Sequence, residues 1–179
     1  MSTRRIRRGA HAARRRGERP VRCVVVTVSD TRQPRTDRSG ARAEELLHAA
    51  GHEVVERRWV RDEIAPIRRE LRRALRVPAT DLVLLTGGTG VSPRDVTPQA
   101  IEPMLDVALP GFGERFRERS IRQVGTAAWL SRAGAGVAAG RLVAYLPGSP
   151  GAVELGLREV LIPELTHALR LLGRIGAGD

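Results

Sequence analysis

The sequence contains no lysine; all 31 of its strongly basic side chains are arginine. That absence excludes a Walker-type phosphate-binding lysine, a Schiff base with a carbonyl substrate or pyridoxal phosphate, and the adenylated lysine of a ligase. A single cysteine, Cys23, excludes an internal disulfide and a CxxC pair. Four scattered histidines, His11, His48, His52 and His167, give no metal-ligand spacing. Aromatic residues make up only 3% of the chain, which leaves little for stacking on bases and weighs against a nucleic-acid partner. No stretch approaches the roughly 20 consecutive apolar residues of a bilayer span, so no membrane association is expected. The scarcity of cysteine makes a reducing cytoplasm the default location.

What is present suits one globular unit: 179 residues with 41% apolar side chains can bury a continuous core. The net charge of +11 is unevenly placed. Residues 1–20 carry Arg4, Arg5, Arg7, Arg8, Arg14, Arg15, Arg16 and Arg19 against Glu18 alone. Such a segment has too little apolar surface to offset its ordering entropy, and a disordered arginine-rich tail is expected there. No apolar region follows the early arginines, which argues against an export signal. Residues 21–179 are expected to form a single α/β domain.

From Val21 the pattern alternates. Val21 to Val28 is a continuous β-branched run, a buried strand. Ser39 to Ala50 reads as a helix stopped by Gly51. His52 to Val60 is a second strand, and Asp62 is the expected N-cap of a helix that places Ile64, Ile67, Leu71, Ala74 and Leu75 on one face. Asp81 to Leu85 is a third strand. Thr97-Pro98 opens a further helix, with threonine as N-cap and proline at the first helical position. A helix over Gly113 to Gln123, a strand over Arg141 to Leu146, and one or two helices over Ala152 to Leu172 complete the series. The alternation predicts a three-layer α/β fold, a mostly parallel central sheet with helices on both faces.

In such folds ligands bind beyond the carboxyl ends of the strands. Two loops fall there. Gly87-Gly88-Thr89-Gly90 follows the third strand; backbone amides without side chains can approach an anion, and a tight structural turn explains the glycines equally well. Leu146-Pro147-Gly148-Ser149-Pro150 offers Ser149 either as a phosphate contact or as an ordinary helix cap. Two carboxylates at neighbouring strand ends, Asp62 and Asp95, can hold magnesium against phosphate oxygens, and each can equally serve as a cap or loop partner. Asp30, after the first strand, has the same two readings.

The string Thr86-Gly87-Gly88-Thr89-Gly90, three residues, then Arg94-Asp95-Val96-Thr97-Pro98 resembles the signature of the MoaB/Mog family of molybdenum-cofactor biosynthesis proteins. Thr27-Val28-Ser29-Asp30, Asp37-Arg38-Ser39-Gly40, Pro110-Gly111-Phe112-Gly113-Glu114, Leu130-Ser131-Arg132-Ala133 and Leu146-Pro147-Gly148-Ser149-Pro150 resemble further family blocks in the same order. The resemblance runs from residue 21 to about 172. It implies a molybdopterin-binding α/β fold, usually trimeric. In the catalytic branch, magnesium and ATP adenylate the terminal phosphate of molybdopterin and release pyrophosphate, priming the dithiolene for a downstream molybdenum-insertion protein. Asp62 and Asp95 match the family's two essential aspartates, with magnesium expected on them. Ser29, Asp30, Gly87, Gly88, Thr89, Gly90, Arg94, Ser131, Gly148 and Ser149 match its substrate pocket. Gln99 stands where glutamate is common, and Arg61 precedes Asp62 where proline is frequent. A non-catalytic pterin-binding or scaffold protein of the MoaB type is the alternative. The more distant CinA-like nucleotide-processing family is disfavoured by Arg94-Asp95-Val96-Thr97-Pro98.

Overall fold

The computed structural model describes residues 19–32 and 35–175. The β-branched and leucine-rich runs become strands β1 (Arg22–Val28), β2 (Glu53–Val60) and β3 (Leu82–Thr86), followed by β4 (Val107–Ala108), β5 (Gly134–Ala138) and β6 (Arg141–Leu146). They form one six-stranded sheet in the order β2-β1-β3-β6-β5-β4. The pairs β1·β2, β1·β3 and β3·β6 are parallel, whereas β5 pairs antiparallel with both β4 and β6. Helices α1 (Arg38–Ala49), α2 (Ile64–Leu75), α3 (Thr97–Ile101), α4 (Pro110–Val124), α5 (Pro150–Gly156) and α6 (Ile162–Leu171) cover it.

Alternation along the strands makes two cores. Cys23, Val25, Leu82, Leu84, Leu142 and Ala144 face a layer built from Leu46, Leu47, Phe116, Val153, Leu165 and Leu169. Val24, Val26, Val83, Leu85, Val143 and Tyr145 face Ile67, Leu71, Ala100 and Ile101. The expected three layers are therefore present.

Local chemistry sets the helix ends. Asp37 caps α1 by accepting from Gly40 N at 2.8 Å. At the other end Gly51, at φ +81°, donates to His48 O, while His52 N donates to Leu47 O, which is the Schellman arrangement. Asp62 is not the cap of α2. Glu63 occupies that place without a side-chain bond, and the Asp62 carboxylate turns instead to the amide of Val96. Thr97 likewise does not cap α3. Val96 does, and Thr97 Oγ1 donates to Gly87 O at 2.9 Å. Helix α4 starts at Pro110 rather than Gly113, because proline is pre-set for a first-turn position. The chain from Ala152 to Leu172 runs through α5, a π-helical turn over Leu157–Leu161, and α6. Pro163 lacks the amide that would close an α-helical bond there.

Two strands have no counterpart in the sequence pattern. β5 is Gly-Ala-Gly-Val-Ala, a poor strand former. Its glycines answer close neighbours: a Cβ at Gly134 would lie 2.2 Å from the Tyr145 hydroxyl, and one at Gly136 2.5 Å from Val107 O. Ala139 and Gly140, at φ 49° and 69°, turn β5 into β6 as a tight hairpin. Ala138 is thereby buried inside its own sheet.

Residues 1–18 of the expected tail lie outside the described residues, but Arg19 belongs to the folded body. Its guanidinium grips the fully buried Asp81 at 2.6 and 2.9 Å and donates to Arg174 O. Among the described residues, no helix is long and apolar enough to cross a membrane.

Candidate functional site

Strands β1, β3 and β6 end side by side at Val28, Thr86 and Leu146, so their following loops converge at one edge of the sheet. Gly87 N donates to Leu146 O at 2.9 Å and ties two of them together. The resulting cleft, about 400 Å³, brings together Ser29, Asp30, Gly87, Gly88, Arg94, Asp95 and Gly148 with Asp62. An adjoining hollow of about 660 Å³ shares Asp30, Asp62 and Arg94.

The glycines of this cleft are there to let the chain pack tightly. Gly87 sits at φ +110°, and a Cβ on it would lie 2.2 Å from Val28 O. Gly88 sits at φ +64°, where a Cβ would lie 2.6 Å from both Asp62 carboxylate oxygens and 2.4 Å from Thr97 Oγ1. Both conformations are costly for any other residue. The space freed at Gly88 is thus filled by Asp62. A valine there would disturb the fold as well as the cleft.

Asp62 follows β2 and is half-buried. Its Oδ1 accepts from Val96 N at 3.2 Å, and its own amide donates to Asp30 Oδ1 at 3.2 Å. Burial pushes its carboxyl above the usual carboxylate range, helped by the charges of Asp95 and Asp30 and opposed by the Val96 amide. Asp95 Oδ2 accepts from Ser92 N at 2.9 Å. Asp30 is ion-paired with Arg94. That pair, then the Asp62 amide, holds the Asp30 carboxyl below its ordinary value.

The remaining expected residues divide. Ser29 Oγ accepts from Thr31 N and Arg32 N and shapes its own turn. Ser149 is the N-cap of α5, accepting from Ala152 N at 3.2 Å, which is the ordinary-cap reading. Thr89 is buried, and its carbonyl accepts from Arg132 N at 2.9 Å. Ser131 stands apart from the two carboxylates. It lines a second hollow of about 540 Å³ with Trp129, Glu102, Arg117 and Tyr145. The Tyr145 hydroxyl donates to Glu102 there, and burial, with the Glu102 charge, raises its pKa.

Several further residues support the cleft. Arg132 donates to Gly90 O at 2.9 Å and Asp95 O at 2.6 Å, bracing the glycine loop between the two hollows. Asp37 is a buried hub that accepts from Thr27, Ser39, Gly40, Arg57 and Trp59. Arg32 Nη1 joins that hub to the cleft, donating to Ser39 Oγ and Gly148 O, each at 2.6 Å. The Asp37-Arg38-Ser39-Gly40 string was legible only as a family block, because the Asp37 partners on β2 lie too far along the chain to be read locally.

A sequence family described as "Probable molybdopterin binding domain" matches residues 24–167. The chain belongs to the MoaB/Mog family of molybdenum-cofactor biosynthesis proteins. It is 47% identical over 158 residues to molybdenum cofactor biosynthesis protein B of Halalkalibacterium halodurans, covering 88% of this chain and 93% of that protein. A crystal structure of a molybdenum cofactor biosynthesis protein B superposes with a TM-score of 0.84 at 41% identity, over 87% of this chain and 98% of the other. The tungsten cofactor synthesizing protein MoaB from Pyrococcus furiosus superposes with a TM-score of 0.77 at 36% identity, over 86% and 97%. The part of the MoaB/Mog signature from Thr86 to Pro98 is, in this fold, the segment that builds the cleft floor and delivers Asp95 to it. The role of the chain is molybdenum-cofactor biosynthesis.

Proposed function

We propose that the protein binds molybdopterin and adenylates its terminal phosphate with ATP, releasing pyrophosphate. The observation that carries this reading is the placement of Asp62 and Asp95 beside the glycine loop, with Asp62 held above the usual carboxylate range by burial and neighbouring negative charge. A half-buried carboxylate surrounded by like charge favours a cation. The donors are hard oxygens, and among the described residues no group of three or more His, Cys, Asp or Glu is arranged to hold a metal by itself. Such a set fits magnesium that brings most of its ligands as phosphate and water oxygens. Asp62 and Asp95 would hold it, and when bound it supplies charge neutralisation on the polyphosphate.

The reaction asks little acid–base chemistry of the protein. The terminal phosphate of molybdopterin is already anionic at neutral pH, so its oxygen can attack the α-phosphorus of ATP without a general base. The new bond forms between that oxygen and the α-phosphorus as the bond to the bridging β-phosphate oxygen breaks, and pyrophosphate leaves with the bonding pair. The protein's work is to bring two polyanions together in line. The loops at Gly87–Gly90 and Gly148 set the width of the cleft, Arg32 and Arg132 hold those loops, and Arg94 offers an exposed guanidinium at the mouth. The working unit is a homotrimer in the cytoplasm, and the product passes to a molybdenum-insertion protein.

The test is to incubate the purified protein with molybdopterin, ATP and magnesium and to look for adenylated molybdopterin by mass spectrometry. Product with stoichiometric pyrophosphate is expected. Saturable molybdopterin binding without product, under conditions where a known adenylyltransferase turns over, would assign the protein to the non-catalytic branch.

A further inference from the structure

The ion pair between Asp30 and Arg94 stands at the boundary of the two adjoining hollows, and both residues line both of them. Its two partners are held very differently. Asp30 keeps one oxygen, Oδ1, on the Asp62 amide and gives the other, Oδ2, to Arg94. Arg94 has a side chain that is 75% exposed, on the exposed turn Val91–Arg94. Its guanidinium donates to Asp30 Oδ2. Arg32 and Arg132, by contrast, are bound to backbone carbonyls of the cleft loops.

We infer that Asp30 is an internal stand-in for a substrate phosphate: it occupies Arg94 until a di- or triphosphate group enters and takes the guanidinium over. This rests on the proposed use of the cleft for polyphosphate. An exposed ion pair is solvated and worth little, so it yields easily. A polyphosphate offers paired, charge-assisted acceptors and more negative charge than a single carboxylate, and arginine's fork matches them. Exchange needs little rearrangement, because Asp30 stays anchored through Oδ1 while Arg94 swings on an exposed side chain.

The measurement is the affinity for inorganic pyrophosphate by calorimetry, in EDTA, for wild type, Asp30→Asn, Arg94→Gln and the double variant. Exchange predicts that Asp30→Asn binds about three- to fivefold more tightly, the scale of an exposed ion pair. Arg94→Gln should bind about tenfold more weakly. In the double variant, replacing Asp30 should bring no further gain, since no guanidinium remains to be released. If the gain from Asp30→Asn persists in the Arg94→Gln background, Asp30 acts as a bulk negative charge and the inference is wrong. Unchanged or weaker binding by Asp30→Asn, or no binding by either wild type or Asp30→Asn, also overturns it. Should Asp30→Asn fail to fold, Asp30→Ser makes the same comparison. Since no turnover is involved, a protein that fails to adenylate molybdopterin can still pass, and an active adenylyltransferase can still fail.

Discussion

Asp62 shows how one side chain can be costly to the fold and useful to the site. Gly88 makes room for it, Val96 donates to it, and burial with Asp95 and Asp30 nearby raises its pKa. A raised folded-state value means that the folded protein holds the proton more readily than the unfolded chain does. The associated stability is full below the unfolded value of about 3.9 and is lost as pH rises through the folded value. Asp62→Asn should therefore melt above wild type at pH 7, and the gap should close as the pH is lowered. A variant that melts below wild type at both pH values would show that Asp62 is held by favourable contacts rather than against its own desolvation. The residue was legible in the sequence as one of a pair with Asp95, but its reason for being there was not. The N-cap expectation failed because the acceptor is needed by Val96, 34 positions away, and no local pattern reports that.

Asp81 poses the opposite case and belongs to the joining of chain segments. Burial opposes its ionisation, but the Arg19 guanidinium and the Arg22 amide, with Arg174 nearby, pull its carboxyl below the ordinary value. This one side chain at the start of β3 ties residue 19 to Arg174, after α6. A depressed value gives stability that is present above the unfolded carboxylate value and lost as pH falls through the folded one. Asp81→Ala should cost about 1–3 kcal/mol at pH 7, since it removes the buried acceptor of the Arg22 amide and of the arginines around it. Arg19→Ala should cost about 1 kcal/mol or less, because its side chain is 43% exposed. Urea denaturation measures both, and equal costs would mean that Arg19 carries the whole clasp. The parallel strands and their helices were legible because they are β-branched or leucine-rich runs and amphipathic segments of sufficient length, even where the expected cap residue was wrong. β4 and β5 were not, since a two-residue strand has no period and β5 is built from small residues fitted against Tyr145 and Val107.

The whole subunit leaves one flank apolar. Val107, Leu109, Ile121, Val124 and Trp129 are exposed on β4, α4 and the turns around them, with Trp129 at 72%. Exposed clusters of this kind mark interfaces, and the proposed homotrimer is expected to close over this flank. Trp129→Arg should convert the trimer to monomer in light scattering without lowering the subunit's helical content. An unchanged trimer would move the interface elsewhere. The most direct test of the proposed chemistry follows the label of ATP onto molybdopterin, using α-labelled and γ-labelled ATP in parallel with wild type, Asp62→Asn and Asp95→Asn. Adenylyl transfer from the Asp62–Asp95 cleft predicts α-label on the pterin with wild type, no γ-label, and at least about a hundredfold loss of transfer in each folded variant. Transfer of γ-label, or α-label appearing at wild-type rate in either variant, would contradict it.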